Sequence, residues 1–401
     1  MATKAFAGVA VGLSFAAILA GGCVGETGDT TDTHDFAVSS DNGLSALNGL
    51  SALNGLSALN GLSALNGLSA LNGLSDTTGL ITSSAGRDTI AYIVKCALPA
   101  GHTITKTFNG ASYSFAGSLG VGAGWEYGAC NTQCQEMVSA CVMAHLNTTG
   151  RHIGIYLDSP VVLGLGRNPR YPMQESAFFG NIFVSPPKAY YCNGFDWDRG
   201  PVSGRIGANQ AGSPYTNPFG YNALCQNSCS KTGFFGEAYG SCGGWNNVVT
   251  VFRDFDPNVP YTICRSGGGM CLTVQYSSAT PGNLIVLQPP NGSTAQKFYF
   301  ERVNGVSDSG QYRIRAAVSG LYFDIAGGSR SAGGGLIQWN NNGALNQLWY
   351  MVQVVAGSYN LVNVNSGMQL TTANIPQNGL VIQIPGGSYS DFEMFKLTLA
   401  Q

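Results

Sequence analysis

Few residues in this 401-residue chain are equipped for chemistry: it has 21 carboxylates, 19 Lys and Arg, and four histidines. HExxH, GxSxG and the phosphate-cradling GxxxxGK[ST] are all absent, so zinc-protease, serine-hydrolase and P-loop chemistry have no motif to rest on. Two carboxylates across a cleft suit glycoside hydrolysis, and Asp158, Glu175, Asp196 and Asp198 lie in one stretch, but their spacing selects no pair. Glu175 is the one acid in QESAFFGNIF (Gln174 to Phe183). A carboxyl buried in that apolar run would titrate high, which makes Glu175 the first catalytic candidate; the alternative is a strand with one solvent-facing acid. Of the remaining groups, His102, His145 and His152 show no partner pattern.

Cysteine is the other reactive type, with 11 copies. Cys96, Cys130, Cys134, Cys141, Cys192, Cys225, Cys229 and Cys242 fall in the middle of the chain, and Cys264 and Cys271 follow. C-x3-C occurs at Cys130/Cys134 and at Cys225/Cys229, a spacing that zinc also uses. An N-terminal export signal favours disulfides instead, because exported chains meet an oxidising compartment. The pairing is not deducible from the order of the cysteines. Cys264 and Cys271 flank Ser266-Gly267-Gly268-Gly269, as a staple between adjacent strands would.

The export signal is read from Lys4, the apolar run Ala5 to Ala20, and the small residues that follow. Ala20-Gly21-Gly22-Cys23 resembles a bacterial lipobox, which implies a signal peptide over 1–22 and lipidation of Cys23 as the first mature residue. Ten cysteines then remain, an even number as pairing requires. Val24 stands where an inner-membrane lipoprotein often has aspartate, so the expected location is the outer membrane or cell surface, with plain secretion as the alternative.

Residues 23–85 read as a low-complexity linker. NGLSAL starts at Asn42, Asn48, Asn54, Asn60 and Asn66, and a partial copy runs from Asn72 to Ser75. Leucine at every third residue fits neither the helical nor the strand period, and Asn-Gly breaks both, so a disordered stalk is expected. Similar repeats occur in myxobacterial surface lipoproteins, and the chain resembles them here.

Residues 86–255 read as a disulfide-rich, mixed α/β or mainly-β domain. A helix is expected from a cap at Thr132, with Gln135 three residues on. Cys134, Met137, Val138, Cys141 and His145 share one face, and Gly150 ends the pattern. The short apolar runs Ile90 to Val94, Ile153 to Leu157 and Val248 to Phe252 read as strands. This stretch resembles uncharacterised myxobacterial surface domains, a likeness that implies no activity.

Composition bounds the partners. Net charge is −2 and charged residues make up 10%, so there is no basic excess to neutralise phosphates and nucleic acid is excluded as a partner. The only long apolar stretch is N-terminal, which excludes a polytopic membrane protein and leaves the membrane as an anchor site only. No cofactor and no metal site is implied.

From Tyr261 the chain repeats itself three times. Gly269-Met270-Cys271-Leu272-Thr273, Gly320-Leu321-Tyr322-Phe323-Asp324 and Gly367-Met368-Gln369-Leu370-Thr371 open the copies. Gln296-Lys297-Phe298, Gln347-Leu348-Trp349 and Glu393-Met394-Phe395 close them. Three strand-rich copies, none able to bury its own apolar face alone, predict one closed β fold. The Q-x-W closings and the second copy's FDIAGGS and GLIQWNNNGALNQLW resemble the ricin-type β-trefoil lectin family over 258–401.

That resemblance implies sugar binding by an acid, a stacking ring and an amide pair. In the second copy these are Asp324, Trp339, and Asn346 with Gln347. A carboxylate suits vicinal hydroxyls because charged acceptors make stronger hydrogen bonds, and a rigid ring covers the C–H face of a sugar at little entropic cost. The other copies depart: Thr273 and Thr371 replace the acid, Gln288 and Pro385 the ring, and Ala295 the asparagine. The leading expectation is a lipid-anchored surface protein that binds galactose-like sugars or polysaccharide. The alternatives are a secreted glycosidase-like hydrolase targeted by its lectin, and an adhesion protein whose trefoil binds no sugar.

Overall fold

Each C-terminal copy yields four short strands. The first copy supplies β12 (Tyr261–Arg265), β13 (Cys271–Val274), β14 (Ile285–Gln288) and β15 (Phe298–Arg302). The second supplies β16 (Gln311–Ala316), β17 (Tyr322–Ile325), β18 (Leu336–Trp339) and β19 (Trp349–Val355). The third supplies β20 (Ser358–Asn363), β21 (Gln369–Thr371), β22 (Ile382–Ile384) and β23 (Phe395–Leu399). The outer strands of each copy pair antiparallel in a ring, β12-β15-β16-β19-β20-β23 and back to β12, which closes a barrel and leaves it no edge. The inner strands form three hairpins that touch at Leu284↔Ile337, Gly335↔Ile382 and Val286↔Leu380 and cap the barrel. The aromatic residues that end the closing triplets, Phe298, Trp349 and Phe395, are fully buried in one core. The fold is a β-trefoil.

The structure is a computed structural model, which describes residues 39–42, 44–45, 68, 80–147, 153–159, 168, 170–194, 216–220, 223–232, 238–303, 310–355, 357–372, 379–387 and 390–400. The signal peptide, Cys23, most of the NGLSAL repeats, Gly150, His152, Asp196 and Asp198 lie outside the described residues.

The middle of the chain builds an antiparallel sheet in the order β1 (Ser39–Asn42), β6 (Ile153–Asp158), β11 (Val249–Arg253), β7 (Met173–Asn181), β8 (Lys188–Asn193). Strand β7 is buried along its whole length. Phe178 joins a core with the helices α1 (Ser84–Ala97) and α2 (Thr132–Ala144), while Ala177 and Phe179 join a second core with Tyr239 and Val248 on the opposite face. The hairpin β3 (Thr103–Phe108) and β4 (Ala111–Ala116) flanks α1, and β9 (Cys229–Thr232) pairs with β10 (Ala238–Cys242). Within the linker, β2 (Leu44–Ser45) runs parallel to β5 (Leu146–Asn147), and Leu68 is buried with its N–H donated to Trp125 O at 2.8 Å. Among the described residues, no helix is long and apolar enough to cross a membrane.

Two local expectations are corrected. Ile90 to Val94 is not a strand but the interior of α1, whose N-cap Ser83 accepts from Gly86 N at 3.0 Å. A short unbroken apolar run does not distinguish a buried helix from a strand. The cap of α2 is Asn131 rather than Thr132: its side chain accepts from Cys134 N at 2.9 Å, and Gln135 Nε2 reaches back to Cys130 O at 2.8 Å.

Among the described residues, five disulfides join Cys96–Cys141, Cys130–Cys134, Cys192–Cys225, Cys229–Cys242 and Cys264–Cys271. They tie α1 to α2, close the entry to α2, fasten β8 to the turn Cys225–Asn227, and staple β9 to β10 and β12 to β13, so none of these sulfurs is a thiolate available to zinc.

The trefoil core is completed from outside the trefoil. Phe255, just after β11, stacks on Phe300 at 4.3 Å and meets Tyr261 and Tyr312 edge-on at 5.5 and 5.2 Å. Next to it, Asp254 pairs with Arg302 at 2.6 Å and accepts from the Tyr312 hydroxyl at 2.5 Å. Burial and then the Asp254 charge push the Tyr312 pKa well above the usual tyrosine range, which keeps that hydroxyl a donor. Arg302 also donates to Arg170 O, and the Tyr359 hydroxyl to Pro172 O at 3.0 Å.

Candidate functional site

Asp324 and Trp339 are brought together by the second copy's hairpin. In the β17–β18 ladder Tyr322 lies opposite Trp339 and Asp324 opposite Ile337. Side chains alternate along a strand, so Tyr322, Asp324, Ile337 and Trp339 stand on one face. A single turn, Leu345–Gln347, then brings Asn346 and Gln347 against the acid.

Asp324 is only 3% exposed, and each oxygen accepts one amide proton. Asn346 Nδ2 donates to Oδ1 at 2.8 Å and Gln347 Nε2 to Oδ2 at 2.9 Å. A carboxylate has roughly four acceptor positions, so capacity for incoming hydroxyls remains. Burial raises the Asp324 pKa, and the bonds from Gln347 and Asn346 oppose that shift. Asn346 spends both amide protons inward, the second on Ile325 O at 3.2 Å, which leaves its Oδ1 as an acceptor. Trp339 is 40% exposed, an open ring next to a buried charged acceptor.

Gln347 is different. It has no exposed surface, and both its amide protons are used: it donates to Asp324 and to Asn340 O at 2.8 Å, and its oxygen accepts from Asn342 N at 3.1 Å. Gln296 does the same in the first copy, bonding Thr273 Oγ1 and Pro289 O, each at 2.9 Å. Gln347 therefore holds Asp324 in position.

Two further residues support the site. Gly282, in the first copy, sits under the Trp339 ring: a Cβ there would come within 3.1 Å of Cζ3. Gly333 recurs at the same offset from Asp324 as Gly282 from Thr273, a signal within the sequence itself. Tyr322, across the ladder from Trp339, donates its hydroxyl to Glu301 Oε2 at 3.0 Å, and Arg315 holds Glu301 Oε1 at 2.5 Å. Its position two residues before Asp324 placed it on the same face had the strand been read in detail.

The register corrects the third copy. Gln369 pairs with Ile384, as Tyr322 does with Trp339, so Ile384 and not Pro385 occupies the ring position. Thr273 and Thr371 do stand opposite Val286 and Ile382, as Asp324 stands opposite Ile337.

In the middle of the chain, Glu175 is 1% exposed, so it is not a solvent-facing acid. It is the extra residue of a β-bulge, because Ser176 pairs with Val251 and Gln174 with Phe252. Asp158 is buried near the end of β6. His145 is fully buried, 2.7 Å from Cys141 O through Nδ1, and packs on Tyr92. A cavity of about 150 Å³ lies between Tyr156, Tyr171 and Phe252 on one side and Tyr350, Met351 and Val352 on the other, and neither Asp324, Trp339, Asn346 nor Gln347 lines it.

Residues 294–384 match the family described as ricin-type beta-trefoil lectin domain-like. No curated protein matches the chain. Among solved structures, the designed threefold-symmetric protein ThreeFoil is 27% identical at a TM-score of 0.33, over 35% of this chain and 97% of its own. An exo-β-1,3-galactanase from Clostridium thermocellum is 25% identical at a TM-score of 0.33, over 37% of this chain. The chain spans about a third of that enzyme, 32% of its length. The Macrolepiota procera ricin B-like lectin, solved in complex with lactose, is 14% identical at a TM-score of 0.30, over 36% of this chain and 97% of its own.

Proposed function

We propose that this chain is an exported surface protein, anchored by a lipid on Cys23, that binds carbohydrate through the second copy of its β-trefoil. One observation carries the reading: a buried carboxylate with spare acceptor capacity, Asp324, stands on one face with a 40% exposed indole, Trp339. Vicinal sugar hydroxyls donate to Asp324 and to Asn346 Oδ1, and Trp339 covers the C–H side of the ring. Binding is non-covalent. Family resemblance makes galactose-like sugars or a polysaccharide the substrate class. A single shallow site binds weakly, and many anchored copies on one surface raise the avidity.

The test is a glycan array probed with the full chain displayed multivalently, beside Asp324→Ala and Trp339→Ala variants whose unfolding temperatures match the wild type. Binding that disappears in both variants supports the site. Binding unchanged in both removes it. Cys23→Ser tests the anchor separately: release of the protein from the membrane fraction is expected.

A further inference from the structure

Leu44 and Leu68 are each the third residue of an NGLSAL copy, four copies apart. Both meet the middle of the chain. Leu44 pairs in register with Leu146 across the parallel β2–β5 ladder. Leu68 is fully buried in the core that holds α1 and α2, and its N–H donates to Trp125 O at 2.8 Å. The repeat, expected as a stalk, is thus held at two points, and both are the leucine of an Asn-Gly-Leu triplet.

The seat that receives Leu68 is built without the repeat. Past α1, Leu119, Val121 and Gly122 donate their N–H groups to Lys95 O, Cys96 O and Ala97 O, each at 2.9 Å, which satisfies carbonyls at the end of the helix. Trp125 N donates to Gly122 O at 2.8 Å. The Trp125 indole is 1% exposed and meets Phe183 edge-on at 5.4 Å. Trp125 O is therefore a fixed acceptor beside an apolar core. A buried carbonyl without a donor is costly, and a leucine that brings its own N–H meets both needs.

Nothing in the sequence selects which leucine. The copies from Asn42, Asn48, Asn54, Asn60 and Asn66 are identical, and the partial copy from Asn72 still contains Asn-Gly-Leu. A slip of six residues offers the same side chain and the same N–H. Such repetition leaves register weakly specified and favours exchange of identical segments between molecules. One chain carries more triplets than one seat can hold. We infer that the Trp125 seat is a docking site for the Asn-Gly-Leu triplet, that it accepts any copy, and that its external partner is a repeat from a second molecule of this chain. The inference is independent of the carbohydrate reading.

The test compares the full chain with Leu68→Ala, with Ile93→Ala, and with a chain in which every leucine from Leu44 to Leu74 is changed to serine. Ile93 is fully buried in the same core and belongs to no repeat. Ile93→Ala is expected to lower the unfolding temperature by about 4 °C or more, the usual consequence of emptying a core position. Leu68→Ala should lower it by only about 1 °C or less, because another copy takes the seat. The all-serine chain has no such copy and should unfold below Leu68→Ala. It should bind a fluorescent NGLSALNGLSAL peptide about tenfold or more tighter than the wild type, whose own copies compete at high effective concentration. A control peptide with serine at each leucine should not bind. When wild-type and all-serine chains are mixed, native mass spectrometry should show the mixed dimer, and excess peptide should remove it. Equal destabilisation by Leu68→Ala and Ile93→Ala overturns the inference, since Leu68 then holds the seat alone; this comparison stands even if the all-serine chain does not fold. A folded all-serine chain that binds no peptide overturns it as well. A mixed dimer that is absent, or that persists in excess peptide, overturns the second molecule as partner.

Discussion

Gln347 Nε2 lies 2.9 Å from Asp324 Oδ2, so the residue that opens a buried core motif also holds the carboxylate of the candidate site. In the third copy the motif begins with Glu393, and there the acid position is Thr371. The chain thus avoids placing two carboxylates at this contact. Gln347→Glu would do so, and two acids at hydrogen-bond distance share a proton rather than both ionise. Binding through the second copy should fall at neutral pH, as isothermal titration with the sugar found by the array would measure. Gln347→Ala should instead unfold the protein more easily, by about 1–3 kcal/mol, because Asn342 N and Asn340 O lose their partner.

Acidity should separate binding from stability. Burial raises the Asp324 pKa above the ordinary carboxylate value. Over the window between the unfolded and folded pKa values, the folded protein keeps a proton that the unfolded chain has lost. The contribution of Asp324 to stability is therefore present below that window and is lost as pH rises through it. Binding has the opposite sign, because the charged acceptor forms only as pH rises through the raised pKa. Sugar affinity of wild type should drop on acidification, while Asp324→Asn should give a weak, flat profile. Equal acid sensitivity in the two proteins would contradict the role of Asp324.

Phe255 tests whether the trefoil stands alone. It comes from outside the three copies, yet it stacks on Phe300 and meets Tyr261 and Tyr312 in the same core. Phe255→Ala should cost about 3–5 kcal/mol, the usual range for emptying a buried aromatic position. A fragment starting at residue 258 lacks this ring and the Asp254 partner of Arg302, and should unfold at a lower temperature than the trefoil within the whole chain. Denaturant melts followed by tryptophan fluorescence would measure the first, and thermal melts the second.

The repeated part of this chain was legible because each copy repeats its landmarks. Three openings and three closing triplets mark the fold, and Phe298, Trp349 and Phe395 are indeed the buried ends of the copies. What the sequence concealed depends on contacts between copies or on local geometry. Gly282 belongs to one copy and seats the ring of another, a relation that no single-copy alignment contains. Ile384 replaces Pro385 at the ring position because strand register, not residue count, sets equivalence. Ile90 to Val94 carried no period by which to tell helix from strand. Asn131 and Thr132 are both good caps, and the choice fell to the residue in extended backbone, at φ −67° and ψ 176°.

The relation between Gly282 and Trp339 gives a prediction that a simple reading of the second copy would miss. Gly282 has φ +87°, in the region glycine favours, and its N–H donates to Gln338 O at 2.7 Å, one residue before the indole. Gly282→Ala meets two costs. The backbone must hold alanine in a left-handed conformation, worth about 1–2 kcal/mol. The new methyl group would also lie 3.1 Å from Trp339 Cζ3, tighter than an ordinary van der Waals contact, so the ring must tilt. Stability should fall modestly, and sugar affinity through the second copy should fall with it, although the substitution lies in the first. Affinity measured in Gly282→Ala, with and without Trp339→Ala, separates these effects. If the indole is displaced, adding Trp339→Ala to Gly282→Ala will cost less than it does in the wild type.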